Sequence, residues 1–313
     1  MRYIEDIKEN EHLIEHYLCK QKQSLKTRAG KTYLSLRLSD KTGTIEAKVW
    51  EMTKEIQAFE EGDVIKIDAH VVTFQSDLQL KVNKLRKSQD GEYVAANYIP
   101  TTGRDIEDMY NEVLELIKSI QHAPLRALVE GIMTEPDRAA LFKAHSAAKQ
   151  MHHSYMGGLL EHTLNVCQIC EFMAPRYKHV NRDLLIAGAL LHDFGKIYEL
   201  SPMPMNDYTD DGQLLGHIII IVEMVAAQVA TMPDFPHELA SLLKHALLAH
   251  HGELEFGSPK LPVTIEAFLL HCADNMDAKL KSFEDILDAD STPGPWTSYQ
   301  RMLNRYVRRS DFS

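Results

Sequence analysis

Seven residues of this chain stand out as candidate ligands of divalent metals: His162, His192, Asp193, His217, His250, His251 and Asp274. His192 and Asp193 are adjacent, in the run Leu190-Leu191-His192-Asp193-Phe194-Gly195-Lys196, at the end of an apolar helical stretch. Neutral imidazoles and carboxylates gathered in one place suit a hydrolytic divalent-metal centre. Thirteen of the sixteen histidines lie from His122 onward. A lone helical histidine is more often structural, but here the order and the settings matter. Asp274 sits inside Leu269-Leu270-His271-Cys272-Ala273, where a buried carboxylate requires a cationic partner. All the donors are nitrogen or oxygen with carboxylate present, which favours Mn, Fe, Co, Ni or Zn over Mg or Ca.

These residues need helices to carry them. From Asp105 onward the pattern has helical spacing, with Ile106, Met109, Tyr110, Val113, Ile117 and Ile120 on one face. Further helices are predicted near 124–133, 137–149, 155–174, 182–193, 215–231, 237–250 and 262–283. The candidate ligands fall on separate helices, as in sites built in a helical bundle core. The tail after Pro293-Gly294-Pro295 is expected to end in a short helix bearing Arg301, Arg305, Arg308 and Arg309.

Residues 1 to about 90 read differently. Tyr33 to Leu38, Ile45 to Val49, Val64 to Val71 and Leu78 to Leu85 alternate apolar and polar side chains. Five short strands with a helix over Met52–Phe59, after the third, fit a small OB-type barrel. The expected fold class is α+β multidomain. The expected layout is a barrel domain over 1–90, a linker over 91–104, an all-α helical bundle over 105–290 and a tail over 291–313.

The chain has 313 residues and a net charge of −11. Residues 1–90 carry a balance of +1, leaving −12 for the rest, so any nucleic-acid contact must use local basic patches. Residues 17–38 hold Lys20, Lys22, Lys26, Arg28, Lys31 and Arg37 without an acid, and residues 78–89 hold Lys81, Lys84, Arg86 and Lys87. A basic groove with aromatic platforms is how such barrels bind single strands. Lys20, Lys22, Lys26, Arg28, Lys31, Tyr33, Lys81 and Lys84 are the candidates, and Trp50 is assigned to the barrel core. Cys19, Cys167, Cys170 and Cys272 read as buried thiols rather than a redox or zinc pair. No apolar run is long enough for a membrane span, and the N-terminus has no signal core, so a cytoplasmic protein is expected.

The order of His162, His192-Asp193 and Asp274 resembles the HD phosphohydrolase superfamily, and His217 with His250-His251 matches its binuclear branch. Tyr155-Met156-Gly157-Gly158-Leu159-Leu160-Glu161-His162-Thr163 and the run from His250 to Pro259 resemble the YhaM family of bacterial 3′→5′ exoribonucleases. So does the pairing of an N-terminal OB domain with a C-terminal HD domain. The Gly-Tyr-Pro signature of HD enzymes that degrade cyclic-di-GMP is absent after His251.

The resemblance implies two metals, Mn²⁺ in particular. One would be held by His162, His192, Asp193 and Asp274. The other would be held by His217 and His250, with His251 open as a further ligand, and Asp193 would bridge the two. A water shared between two such ions becomes acidic enough to attack phosphorus at neutral pH. Lys196, one turn after Asp193, is either a phosphate contact in the catalytic centre or a solvated lysine. Asp277 either backs the ligands or pairs with Lys279 or Lys281. His152 and His153 have either a substrate-facing or a simply structural role rather than a metal-binding one. The expected partner is single-stranded RNA, with single-stranded DNA and self-association left open. The competing readings are a nucleotide or cyclic-dinucleotide phosphohydrolase and a non-catalytic nucleic-acid-binding protein.

Overall fold

A computed structural model describes residues 1–27, 30–74, 77–89, 91–94, 97–149 and 153–310. Arg28 and His152 lie outside the described residues. The chain divides into two compact units, Met1–Thr101 with Met203–Met205, and Thr102–Pro202 with Asn206–Ser313.

The first unit is a closed barrel of β1 (His12–Lys26), β2 (Thr32–Asp40), β3 (Gly43–Val49), β4 (Val64–Phe74) and β5 (Asp77–Lys87), in the order β1-β2-β3-β5-β4. Closure comes from β3 and β5, which pair in parallel, while the other pairs are antiparallel. The alternation seen in the sequence sets the register. Leu34, Leu36 and Leu38 face inward and sit opposite Val49, Ala47 and Ile45. Tyr17 is fully buried, and its hydroxyl donates to the Arg2 carbonyl at 2.9 Å. The helix expected over Met52–Phe59 does not form. That segment runs as a strap along β5, with Gln57 N–H donating to Leu85 O and Leu85 N–H to Glu55 O. Ile56 and Phe59 pack on the barrel core, so their helix-like spacing serves a cover whose backbone groups are satisfied by a strand.

The second unit is helical. Its elements are α1 (Ile106–Ser119), α2 (Ala123–Met133), α3 (Pro136–Ala144), α4 (Gly158–Met173), α5 (Arg182–Leu191), α6 (Lys196–Glu199), α7 (Asp210–Leu214), α8 (Gly216–Ala230), α9 (His237–Ala249) and α10 (Ile265–Ala289). Asp105 caps α1 by accepting from Asp108 N–H at 2.9 Å, a bond worth about 1 kcal/mol. Residues Leu184 to Leu191 of α5 are all buried, which explains a run with no polar stripe. Helices α2, α4, α9 and α10 pack around α5. The chain leaving α5 therefore delivers His192 and Asp193 to the interior. Cys167 and Cys170 lie buried on α4, where burial pushes the Cys170 thiol up to about 12 and that of Cys167 well above its usual value, so both are inert. No helix among the described residues is long and apolar enough to cross a membrane.

The expected C-terminal helix is corrected to a hairpin of β6 (Trp296–Gln300) and β7 (Arg305–Arg308). Asn304 takes φ 52° at its turn. Tyr299 and Tyr306 pair across the strands with rings 5.2 Å apart, and Thr297 and Val307 are buried. Aromatic and β-branched residues outweigh the arginine spacing here. Arg309 folds back onto the carboxylate of Asp290 at 3.0 Å.

Candidate metal centre

Five elements of the helical unit bring the seven candidate ligands together. His162 projects from the middle of α4, and His192-Asp193 follows α5. His217 is the second residue of α8, His250-His251 follows α9, and Asp274 lies on α10. Asp193 is buried at the centre. Its Oδ2 lies 3.3 Å from His162 Nε2 and 3.5 Å from His192 Nε2. Its Oδ1 lies 3.3 Å from His217 Nε2 and 3.7 Å from His250 Nε2. Each carboxylate oxygen thus faces its own pair of imidazoles. Asp274 Oδ1 joins the first group, 3.3 Å from His162 Nε2. His251 joins the second, and its ligand nitrogen clusters with those of His217 and His250.

The hydrogen bonds behind the rings decide which nitrogen each presents. His162 Nδ1 donates to Asp277 Oδ2 at 2.7 Å, and His217 Nδ1 to Glu199 Oε1 at 2.9 Å. His192, His250 and His251 donate through Nδ1 to the carbonyls of Ala189, Leu247 and Phe256. Carbonyls and carboxylates only accept, so in each ring one proton is held at Nδ1 and Nε2 is the nitrogen turned inward. Three of the converging atoms, Asp193 Oδ1, His217 Nε2 and His250 Nε2, are buried without a hydrogen-bond partner. Buried acceptors converging without a donor fit a cation. His162 Nε2 and His192 Nε2 approach to 3.2 Å, a separation that two ligands of one ion adopt. The donor set therefore fits divalent metal.

Electrostatics agree. Burial, with Asp193 and Asp274 opposing it, lowers the pKa of His192 to about 4, and burial with His250 and His217 nearby lowers that of His251 to about 4. Both rings are neutral ligands at physiological pH. Burial alone would also lower that of His162, but hydrogen bonds to Asp193, Asp274 and Asp277 raise it well above its ordinary value. Three carboxylates around one ring call for a positive charge, and either a proton or a metal ion supplies it. Burial works against ionised Asp193, yet Lys196, His192 and His162 hold its carboxyl well below the usual range.

Two residues whose place the sequence left open, and one it did not single out, stand around these ligands. His153 takes the structural place. It is buried behind His162, with Nε2 2.9 Å from Asp277 Oδ2 and Nδ1 2.8 Å from the Tyr155 hydroxyl. Asp277 is likewise a buried backing group and pairs with neither Lys279 nor Lys281; the latter reaches Asp285 at 3.0 Å. Glu199 was missed. It is buried at the end of α6 and accepts from both the backbone N–H and Nδ1 of His217. The available signal was an acid in the apolar run Ile197-Tyr198-Glu199-Leu200, one turn beyond Lys196. A Cβ at Gly195 would lie 2.3 Å from the His217 carbonyl oxygen, so glycine there lets α6 and the start of α8 approach closely.

The centre opens into a cavity of about 850 Å³ whose walls include Asp193, Lys196, Glu199, His217, His251, His271 and Asp274. Lys196 Nζ lies in it, 2.6 Å from Asp193 Oδ2, so this lysine is neither solvated nor committed to the helix surface. Burial opposes its charge, but Asp193 keeps its pKa raised. His271 donates to the His250 carbonyl at 3.1 Å and steadies that ligand's backbone.

Residues 159–279 match the HD domain family, and residues 20–87 match an OB-fold nucleic acid binding domain family. The chain is 33% identical over 270 residues to the 3′-5′ exoribonuclease YhaM of Geobacillus sp. (strain WCH70), covering 86% of this chain and 82% of that protein. Against the 3′-5′ exoribonuclease YhaM of Listeria monocytogenes serotype 4b (strain CLIP80459) it is 35% identical over 260 residues, covering 82% of each. The chain belongs to the YhaM family of 3′-5′ exoribonucleases. It is a metal-dependent hydrolase with an HD domain and a nucleic-acid-binding OB barrel.

The barrel of this YhaM-family chain disposes its basic residues unevenly. Lys22 is not an open cation, because its Nζ donates to the Phe59 carbonyl at 2.5 Å and lies 4.5 Å from that ring. Lys31 pairs with Glu51 at 3.0 Å and Lys84 with Glu55 at 3.3 Å, both in exposed settings where ion pairs are weak. Burial, then Arg37, lowers the pKa of Lys20. Lys26 and Lys81 are exposed. Trp50 does not fill the core. Val49 ends β3 pointing inward, so the next side chain points out, and Trp50 is 40% exposed. It stacks on Tyr33 with ring centroids 4.7 Å apart and planes 24° off parallel.

Proposed function

We propose that this chain removes nucleoside monophosphates from the 3′ end of single-stranded RNA, using a two-metal centre in its helical unit and strand affinity from its barrel. The observation that carries the reading is the split environment of Asp193, one carboxylate oxygen toward each imidazole group. His162, His192 and Asp274 would hold one ion, and His217, His250 and His251 the other, with Mn²⁺ the candidate for both. Two bound divalent ions supply Lewis acidity and an activated water to a phosphodiester. The protein's own groups do the rest. Hydrogen bonds at Nδ1 hold one proton on the outer nitrogen of each ring, so that Nε2 is the atom offered to an ion. Asp193 holds the two halves in register. Lys196 rests on Asp193 until a phosphate competes for its ammonium, and then offsets the charge that grows on the phosphoryl oxygens. The relatives' printed activity supports this choice over a small-nucleotide phosphohydrolase, and so does a nucleic-acid-binding barrel that a mononucleotide substrate does not need.

The test is to incubate the protein and Mn²⁺ with uniformly labelled single-stranded RNA bearing a free or a blocked 3′ end, with a cyclic dinucleotide in parallel. Mononucleotides should appear from the open RNA alone. Equal cleavage of the blocked strand, or turnover of the cyclic dinucleotide in preference to RNA, overturns the proposal.

The Tyr33–Trp50 pair is a ready stacking platform. Stacking on one aromatic side chain contributes about 1–3 kcal/mol per base. Trp50→Ala is therefore expected to weaken RNA binding, measured by fluorescence anisotropy, by roughly 5- to 150-fold. An unchanged affinity removes this face from the binding path.

A further inference from the structure

The cavity at the metal centre is lined by aromatic as well as charged side chains. Tyr208 and Phe256 both line it, at 45% and 61% exposure, although they come from distant segments. Small or aliphatic side chains, Ala147, Ala148, Leu200 and Ala278, line it as well, with Lys149 and Asn275. Its volume of about 850 Å³ falls within the usual range for small-molecule sites, roughly 300–1,000 Å³.

Both rings stand on anchored backbone. Phe256 ends a short turn, and its carbonyl accepts from His251 Nδ1 at 2.9 Å, so the residue that exposes the ring also orients a candidate metal ligand. The same loop is tied down by Ser258, whose buried hydroxyl bonds to the carbonyls of Leu248 and Lys260. Tyr208 is bridged to Leu200, and its neighbour Thr209 caps α7 by accepting from Gly212 N–H at 2.9 Å. Lys149 pairs with Asp207 and sits 5.6 Å from the Tyr208 ring centre. Two aromatic faces held at the mouth of a phosphate-processing centre match the flat face that every nucleobase carries.

We infer that Tyr208 and Phe256 form a stacking subsite for the base of the terminal nucleotide, which seats its phosphate at the metal centre. The subsite recognises a π-face and is indifferent to base identity. This inference rests on the exoribonuclease reading above. The subsite is a positioning device, so its loss raises KM and slows release without altering the metal ligands.

The test compares RNA whose 3′-terminal nucleotide carries its base with the same RNA ending in an abasic nucleotide. Single-turnover release is measured for the native protein and for Tyr208→Ala, Phe256→Ala and Phe256→Trp. Native protein should release the abasic residue roughly 5- to 150-fold less efficiently, the range that one stacked base confers. The alanine variants should lose efficiency on the base-bearing RNA and show little further loss on the abasic one, while Phe256→Trp keeps the native discrimination. Metal content and unfolding midpoint of each variant, read separately, should match the native protein, because the Phe256 carbonyl rather than its ring holds His251. Equal release of both RNAs by native protein overturns the subsite alone. So does full discrimination in both alanine variants. If native protein releases no mononucleotide from either RNA, the exoribonuclease reading falls and takes the inference with it.

Discussion

Asp193→Ala is expected to lower hydrolysis by on the order of 10³-fold or more, the scale lost when a single charge-stabilising group leaves a reacting centre. The reason is the position of this carboxylate. Both its oxygens are used, one toward His162 and His192 and the other toward His217 and His250. Alanine removes a side chain that faces all four rings, and leaves Lys196 without its partner at 2.6 Å. Bound metal, measured by elemental analysis after dialysis, should fall with activity. RNA affinity should stay near the native value, because the basic and aromatic residues of the barrel are untouched. Asp193→Asn sharpens the result. It keeps the volume but presents one acceptor oxygen and one donor amide, so it cannot serve both imidazole groups. Native-like turnover by metal-depleted Asp193→Ala protein would falsify the metal mechanism.

The second large effect is expected at Asp277, which is buried behind His162. Its Oδ2 accepts from His162 Nδ1 at 2.7 Å and from His153 Nε2 at 2.9 Å, and its Oδ1 accepts from Asn165 at 3.0 Å. Burial would raise its pKa, but the hydrogen bonds from His153 and His162 hold the carboxyl well below the usual range. Carboxylates behind metal-binding imidazoles set tautomer and ring angle, and losing one costs about 10–100-fold in metal affinity. Asp277→Ala should therefore weaken binding at the His162 side by that factor. It should also destabilise the fold by roughly 3–5 kcal/mol, since two buried imidazoles lose their common partner. Glu199 plays the corresponding part for His217, so Glu199→Ala should act on the other half. Calorimetric titration with Mn²⁺ distinguishes the two: Asp277→Ala should weaken one binding step and Glu199→Ala the other. If both variants weaken the same step, the division of ligands around Asp193 is wrong.

Much of this centre was legible before any fold was known. Metal-binding residue types recur at the ends or in the interiors of apolar helical runs, where an unpartnered imidazole or carboxylate is unfavourable. His192-Asp193 after Leu190-Leu191 and Asp274 after Leu269-Leu270 stand out for that reason. The barrel was legible from the period-two alternation of β2, β3, β4 and β5. The places where the pattern misled share one cause. Met52, Ile56 and Phe59 have helical spacing, yet their segment takes its hydrogen bonds from β5, an element some thirty residues away. The arginines near the C-terminus are spaced like a helix face, yet Tyr299 and Tyr306 meet across a hairpin.

By itself the amino-acid sequence determined which residues are of metal-binding type and most of the strands and helices, because those properties depend on side-chain type and on local periodicity. Only the tertiary structure decided which way each side chain faces. It set His153 and Asp277 behind His162, brought Glu199 under His217, turned Trp50 outward onto Tyr33 and placed Tyr208 and Phe256 in the lining of one cavity. Each of those outcomes depends on the packing of elements far apart in the chain, and a residue's neighbours in sequence carry no record of it.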